Sequence, residues 1–200
     1  VQHQMQDNYT VLDDKLIFLN STPKREDYSS KHLNYSLEQG DISAYDELMS
    51  VLYSEEERQK IEWAIGSIVT GDSKHIQKFM VFIGDAGTGK STVMKIIRML
   101  FDGYCATIDA KAIGSSQSAF ALEPLKKNPL VAMQDDADLS KIQDNTRLNS
   151  LVSHEYLSVN EKFKSPYETA YHCFIFLGSN DDVAITDARS GQIGRASCRE

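Results

Sequence analysis

The sequence has no long hydrophobic run: none of its 200 residues lies in a stretch approaching the roughly 18 apolar residues of a membrane-spanning helix. Its first residues, VQHQMQDNYT, have neither the basic start nor the apolar middle of a signal peptide. We therefore expect no membrane partner and a soluble protein of the cytoplasm.

Cysteine and positive charge are both scarce. The three cysteines share no metal-ligand spacing and form no even set, which is typical of reduced thiols rather than of a disulfide framework. Lys and Arg number 21 against 29 Asp and Glu, giving a net charge of -8. This deficit argues against a surface that coats double-stranded DNA, although a ring needs only a few basic groups per subunit to line its pore.

What the sequence does contain is enough apolar residues, 41%, for one substantial core. The first part of the chain predicts a short strand at Leu16–Leu19 and a helix from Asp41, where apolar residues recur at helical spacing. Ser54 and Glu57 form the pattern of a capping box, so a second helix should begin there and end near Gly71. We predict a small, mostly helical N-terminal region ahead of the main domain.

The pattern changes at Phe79–Ile83 (FMVFI), a run of strand formers that is followed by glycines and then by apolar residues at helical spacing. Similar short apolar runs occur at Tyr104–Ile108, Leu130–Met133 and Phe174–Leu177. Buried strands that alternate with helices predict an α/β fold with a mainly parallel sheet flanked by helices. Ligands bind such folds at the carboxyl ends of the strands.

The segment GDAGTGKS, Gly84–Ser91, matches the P-loop pattern GxxxxGK[ST] and lies between a predicted strand and a predicted helix. Its glycines let backbone N–H groups surround phosphate oxygens, and the helix that follows offers its positive end to the same anion. We expect a P-loop NTPase that binds ATP and Mg²⁺, with Lys90 on the β- and γ-phosphates and Ser91 on the metal. The predicted nucleotide-binding residues are Gly84, Asp85, Ala86, Gly87, Thr88, Gly89, Lys90, Ser91 and Thr92.

An acidic group is also needed to hold the metal and to help position water. In LVAMQDDAD an apolar strand ends in Asp135 and Asp136, so these carboxylates should emerge at the sheet edge that carries the P-loop. Gln134 follows the apolar run, so the register of the acidic residues is uncertain by one position. We favour Asp136 as the metal ligand, with Asp135 second. A solvated acidic loop after a core strand is the alternative.

The segment FIFLGSND places Asn180 just after another predicted strand. An amide at that strand end could orient water and sense the γ-phosphate. A turn-forming Asn is the commoner explanation of such a residue when it is considered alone. As the third strand end in an ordered set, Asn180 joins Lys90, Asp135 and Asp136 as a predicted catalytic residue.

The order and spacing of these elements resemble the superfamily 3 helicases of viruses and phages, most closely the helicase part of D5-like primase-helicases. The resemblance covers residues 54–191 and includes IEWAIGSIVTGDSKHIQKF, GDAGTGKST, NPLVAMQDDADLSKIQDNTRLNSLVSHE, VNEKFKSPYE and ITDARSG. It implies an AAA+-like fold and an ATP-driven ring, usually a hexamer, that moves along single-stranded DNA during replication. It also implies the cytoplasm of a phage-infected or prophage-carrying bacterium.

In this superfamily a hairpin between the second and third elements faces the pore, and VNEKFKS matches it. The resemblance assigns DNA binding to Lys162 and Lys164, which would face the same side of an extended strand. Two lysines on an exposed edge strand are the structural alternative.

The chain departs from the family pattern in two places. Asp135 stands where relatives often have a histidine, which leaves the division of labour between Asp135 and Asp136 open. Paired arginines that reach a neighbouring subunit's ATP should follow ITDARSG, but residues 192–200 resemble, when back-translated, a sequencing adapter. Arg189 lies too early and Arg195 has a doubtful origin, so we expect the chain to bind nucleotide and to hydrolyse it poorly.

These observations predict four parts: a partial region at 1–40, a helical domain at 41–75, the ATPase domain at 76–191 and a non-native tail at 192–200. Two other functions stay open. A P-loop kinase would need a lid with arginines, which the sequence between Asp136 and Asn180 does not show. An ATP-switched DNA-binding or loader module is not separated from a helicase by the sequence.

Overall fold

A computed structural model of the chain describes residues 16–24, 29–115, 118, 120–138, 146–160, 165–180 and 193–197. The first elements lie before residue 76. Strands β1 (Ile17–Phe18) and β2 (His32–Leu33) pair in parallel, and helices α1 (Ser43–Leu52) and α2 (Glu55–Thr70) follow. No helix in the described ranges is both long and apolar enough to cross a bilayer.

The start and the end of α2 are fixed by local chemistry. The Ser54 hydroxyl accepts a hydrogen bond from the Glu57 N–H, and the Glu57 carboxylate accepts one from the Ser54 N–H at 2.9 Å. Each bond satisfies an N–H group that the first turn of a helix cannot pair internally. Gly71 ends the helix with φ +81°, a left-handed conformation in which a side chain is strained. The capping box and the end near Gly71 predicted from the sequence are confirmed.

A short 3₁₀ turn (Asp72–His75) leads into the central sheet. The sheet contains strands β3 (Phe79–Ile83), β4 (Cys105–Thr107) and β5 (Val131–Gln134). Helix α3 (Lys90–Leu100) connects β3 to β4, while α4 (Ala110–Ile113) and the 3₁₀ turn Glu123–Lys127 connect β4 to β5. These three strands were predicted from the sequence, and the ends of each lie within one residue of the predicted ends.

The chain then forms α5 (Thr146–Val152) and an antiparallel pair, β6 (Leu157–Val159) and β7 (Tyr167–Thr169), before it returns to the sheet. Strand β8 (Phe174–Ser179) lies between β3 and β5, and β9 (Ile193–Ser197) pairs with the other side of β3. The order in the described sheet is β4-β5-β8-β3-β9, and every pairing is parallel. The chain therefore has a mixed α/β fold with a mainly parallel central sheet.

Strand β9 falls within the segment expected to be a non-native tail. Its backbone hydrogen bonds to an edge of the sheet do not depend on particular side chains, so the pairing does not decide the origin of residues 192–200. The predicted division of the chain into four parts stays a prediction.

Alternate residues of each strand point to opposite faces of the sheet, and other elements cover both faces. Phe79 and Val81 of β3 pack in one core cluster with α4 and α5. Met80 and Phe82 pack in the other, with α3 and with α1 and α2. The N-terminal helices therefore share a core with the sheet. They cover the same face as α3, which begins at the end of the glycine loop.

Candidate functional site

Three adjacent parallel strands bring the predicted site residues to one edge of the sheet. The glycine loop (Gly84–Gly89) follows β3, Asn180 follows β8 and the Asp135–Asp136 pair follows β5. A cavity of about 380 Å³ at this edge is lined by Ala86, Gly87, Gly89, Lys90, Ser91, Thr92, Asp135, Asp136 and Asn180. The structure thus brings together the residues that the sequence singled out at three distant positions.

The remaining predicted residues of the glycine loop, Gly84, Asp85 and Thr88, do not line this cavity and instead stabilise the loop. The Gly84 N–H donates to the Ser179 carbonyl at 3.3 Å, which ties the loop to β8. The Thr88 hydroxyl donates to the Asp85 carbonyl at 2.8 Å and closes a turn. These bonds hold the loop in place between its strand and its helix.

Gly87 and Gly89 each have φ +89°, so both positions require a residue without a β-carbon. Gly89 directly precedes Lys90, the first residue of α3. The N–H groups of the first turn of a helix lack internal partners and carry the positive end of the helix dipole. The loop and this helix end together form a site suited to an anion, and phosphate is the anion such sites most often hold.

Lys90 is buried, with 6% of its surface exposed. Its ammonium donates to the carbonyl oxygens of Gly84 at 2.5 Å and of Asp85 at 2.7 Å. Burial of a charged group is costly unless hydrogen bonds compensate it. The loop carbonyls compensate this ammonium while holding it beside the cavity.

The two aspartates have different partners. The Asn180 side-chain amide donates to Asp136 Oδ1 at 3.3 Å, which joins the residues that follow β8 and β5. Asp135 Oδ2 lies 3.8 Å from an Arg98 guanidinium nitrogen on α3. Both members of this ion pair are more than a third exposed, so its contribution to stability is small. Asp136 is the carboxylate in contact with the amide, and Asp135 is the one beside a cation.

The donor set fits a magnesium ion. The described residues include no group of three or more His, Cys, Asp and Glu side chains that could hold a metal by themselves. Magnesium usually takes only one or two carboxylates, with water and phosphate oxygens as its other ligands. The Ser91 hydroxyl and the Asp136 carboxylate, which line the same cavity, could supply the protein's share.

Sequence patterns gave no reason to select Gln134, Arg98 or Leu52. Gln134 ends β5, and its side chain bonds to both Ala110 and Asp136. Leu52 of α1 contacts Gly89. These contacts join residues far apart in sequence, whereas motif spacing reports only local order.

The residues predicted to bind DNA lie outside the described ranges. Lys162 and Lys164 belong to the segment between β6 and β7, and those strands pair in antiparallel register from Leu157 opposite Thr169 to Val159 opposite Tyr167. Arg189 also lies outside the described ranges, and Arg195 is described only as backbone in β9.

Two histidines lie near this strand pair, just before β6 and β8. His154 ring nitrogens lie 2.9 Å from the Tyr171 carbonyl and 3.1 Å from the Ile76 carbonyl. Its ring stands 5.2 Å from that of His172. Burial, then the positive charge of His154, lowers the pKa of His172 from 6.5.

Burial raises the pKa of the Cys105 thiol to about 11 and that of Cys173 to about 12. Both are therefore protonated at neutral pH and poor nucleophiles. Cys198 lies outside the described ranges.

The fold is shared with two groups of solved structures. The whole chain aligns with 53% of the C-terminal region (305–718) of NrS-1, at 16% identity and a TM-score of 0.63 in one apo structure and at 15% and 0.62 in another. JCV helicase aligns over 72% of this chain and 41% of its own, at 14% identity and a TM-score of 0.50. The chain thus spans about half the length of the NrS-1 region it matches. At these identities the likeness concerns the fold.

No curated protein matches the sequence. Residues 82–195 match the model of a family described only as a family of unknown function, DUF5906. The matched range begins inside β3 and contains the glycine loop, the Asp135–Asp136 pair and Asn180. The match covers more than half of the chain, which therefore belongs to the DUF5906 family.

Proposed function

We propose that this chain is the ATPase part of a superfamily 3 helicase of the D5-like type, with an AAA+-like P-loop NTPase fold. It hydrolyses ATP in the presence of Mg²⁺ and moves along single-stranded DNA as a ring, usually of six subunits, in phage or viral replication. The chain spans only about half of its structural neighbours, so this function concerns the assembled whole protein.

One observation carries the proposal. Lys90, the Asp135–Asp136 pair and Asn180 follow the ends of three adjacent strands and line one cavity together with Ala86, Gly87 and Gly89 of the glycine loop. A chance glycine turn before a helix would not require an acidic pair and an amide at the same edge. This is the set of groups that phosphoryl transfer from a nucleoside triphosphate needs: a phosphate cradle, a metal-side carboxylate and a group that positions water.

Each residue then has a defined task. The loop N–H groups and Lys90 hold the phosphates, and Ser91 and Asp136 hold the metal. A bound magnesium ion supplies positive charge to the phosphate oxygens. Asn180, already in contact with Asp136, orients the attacking water. We assign the acceptance of its proton to Asp135, which lines the same cavity. Catalysis is mainly positioning and electrostatic stabilisation.

The DNA-related part of the proposal has separate support. JCV helicase, which shares the fold, is named as a helicase. Strands β6 and β7 flank the segment that contains Lys162 and Lys164. We propose that these lysines bind the DNA backbone in the pore. We also propose that contacts between copies of the chain form the ring and bring an arginine of each copy to its neighbour's nucleotide.

Hydrolysis and its stimulation by DNA test the proposal. Single-stranded DNA should raise the ATPase activity of the purified full-length protein, and Lys90→Ala should reduce that activity by about 100-fold or more. Lys95→Ala is the matched control, because Lys95 is exposed on the same helix and does not line the cavity. Loss of activity in both variants, or in neither, would contradict the assignment of Lys90.

Three other outcomes would contradict the helicase assignment. If an intact ring hydrolyses ATP and DNA does not change the rate, the helicase assignment is overturned. Nucleotide-dependent DNA binding with no separation of a forked duplex would indicate a loader module. Transfer of labelled phosphate to a small acceptor would indicate a kinase.

A further inference from the structure

The side chain of Gln134 connects two loops at the edge of the sheet. Its Oε1 accepts a hydrogen bond from the Ala110 N–H at 2.7 Å, and its Nε2 donates to the Asp136 carbonyl at 3.2 Å. Ala110 is the first residue of α4, which follows β4, whereas Asp136 follows β5. Gln134 therefore joins the turn after β4 to the acidic turn of the candidate site.

The chemistry of both partners determines the orientation of the carboxamide. A backbone N–H can only donate and a backbone carbonyl can only accept, so the oxygen must face Ala110 and the nitrogen must face Asp136. A side chain that both accepts and donates is required. Glutamate has the same length but only accepts when ionised, and methionine has a similar length but forms neither bond well.

Two more bonds act on the same short turn. The Ala137 N–H donates to the Gly178 carbonyl of β8 at 2.7 Å. The Asp136 carboxylate accepts from the Asn180 amide at 3.3 Å. The backbone of Asp136 is thus held on one side by Gln134 and on the other by β8, while its carboxylate is oriented by Asn180.

We propose that Gln134 is a positioning residue for Asp136: it fixes the backbone of the acidic turn so that the Asp136 carboxylate faces the phosphate cavity. Gln134 does not itself line that cavity. The inference rests on the proposed function, because the role given to Asp136 is metal binding next to a nucleotide. Groups that orient metal ligands typically affect metal affinity or activity by about 10- to 100-fold when they are removed.

The effect should be selective. None of the Gln134 hydrogen bonds involves the glycine loop or Lys90, so nucleotide binding without metal should change by no more than about twofold in Gln134→Met. The affinity for Mn²⁺ in the presence of nucleotide, measured by electron paramagnetic resonance, should fall by about tenfold or more. The turnover number should fall with it, while KM for ATP at saturating metal should change little.

Two variants separate the two bonds of Gln134. Gln134→Met removes both, so the Ala110 amide should exchange hydrogen faster. Gln134→Glu keeps an acceptor for Ala110 but no donor for Asp136, so that amide should stay protected while metal affinity still falls. Urea unfolding of each variant checks that the fold is retained. Lys111→Met, at an exposed position of α4, is the control and should change neither readout.

The results distinguish failure of this inference from failure of the proposed function. Faster exchange at Ala110 with unchanged metal affinity in Gln134→Met would overturn the positioning role. Equal losses of metal-free nucleotide binding and of metal affinity would also overturn it, because they would indicate general damage. If the wild-type protein binds no nucleotide, the proposed function fails, and the inference that rests on it fails too. Hydrogen exchange at the Ala110 amide would still show whether its hydrogen bond to Gln134 exists.

Discussion

Leu52 packs directly on Gly89: a β-carbon at position 89 would lie 2.5 Å from Leu52 Cδ2 and 2.9 Å from its Cδ1. Leu52 ends α1, so the N-terminal helices support the glycine loop from the outside of the cavity. Gly89 is required for two reasons, because its φ of +89° is left-handed and because Leu52 occupies the space next to its α-carbon.

Gly89→Ala should destabilise the protein more than Gly87→Ala. Both glycines have φ +89°, so both substitutions cost about 1–2 kcal/mol of backbone strain. A β-carbon at position 87 would meet nothing within 4 Å, whereas one at position 89 would push the terminal methyls of the half-buried Leu52 out of their rotamer, for about 1 kcal/mol more. Urea unfolding would measure the difference. The extra cost should largely disappear when Leu52→Ala is combined with Gly89→Ala, and equal costs for the two glycines would contradict the contact.

Ser54→Ala should lower the free energy of unfolding by about 1 kcal/mol, because it removes the hydroxyl that accepts from the Glu57 N–H at the start of α2. Ser50→Ala is the control. Its hydroxyl donates to the Glu47 carbonyl within α1 and is exposed, so the change should stay within about 0.5 kcal/mol. Similar effects at both positions would show that the capping box contributes nothing specific.

Asp136 and Asn180 should be energetically coupled in the binding of the magnesium–nucleotide complex, since their side chains share a hydrogen bond. A double-mutant cycle with Asp136→Ala and Asn180→Ala should give an interaction energy of about 0.5–3 kcal/mol. The cycle of Asp135→Ala with Asn180→Ala provides the comparison. Asp135 pairs with Arg98 instead, so that cycle should be closer to additive. Stronger coupling to Asp135 would reverse the roles of the two aspartates.

The stability of the protein should fall as pH drops below 6.5, in part through His172. Burial, then the charge of His154, then Lys74, His75 and Lys31, lower the pKa of His172 in the folded state. The unfolded chain therefore binds this proton more readily, and stability rises with pH between the lowered pKa and 6.5. Urea unfolding between about pH 5.5 and 7.5 should show a shallower slope for His172→Gln. An unchanged slope would remove His172 from this dependence.

The features predicted best from the sequence are those with local causes. Ser54 and Glu57 are three residues apart, and the FMVFI run at Phe79–Ile83 meets its glycines at once, so spacing alone placed α2 and β3. The cavity at the strand ends follows from the rule that parallel strands end at one edge. Its outline was therefore predictable before any contact was known.

What the sequence did not indicate depends on tertiary packing. Leu52 and Gly89 meet because α1 shares a core with the sheet, and no periodicity reports that contact. The partners of Asp135 and Asp136 also come from other elements, so the register ambiguity between these neighbouring residues could not be resolved locally. In the sequence Gln134 is simply the polar residue that follows an apolar run. Its role is indicated only by its hydrogen bonds to Ala110 and Asp136.

The position of β8 between β3 and β5 affects how the protein is made. During translation the glycine loop leaves the ribosome about 90 residues before the strand that must lie beside it, and β5 emerges between the two. Until β8 is synthesised, the backbone N–H and C=O groups along the facing edges of β3 and β5 lack the strand that pairs with both, and such contacts between distant segments form slowly. The last of the three strands to be synthesised is the central one, so the cavity at the strand ends cannot be complete before Asn180 has been added.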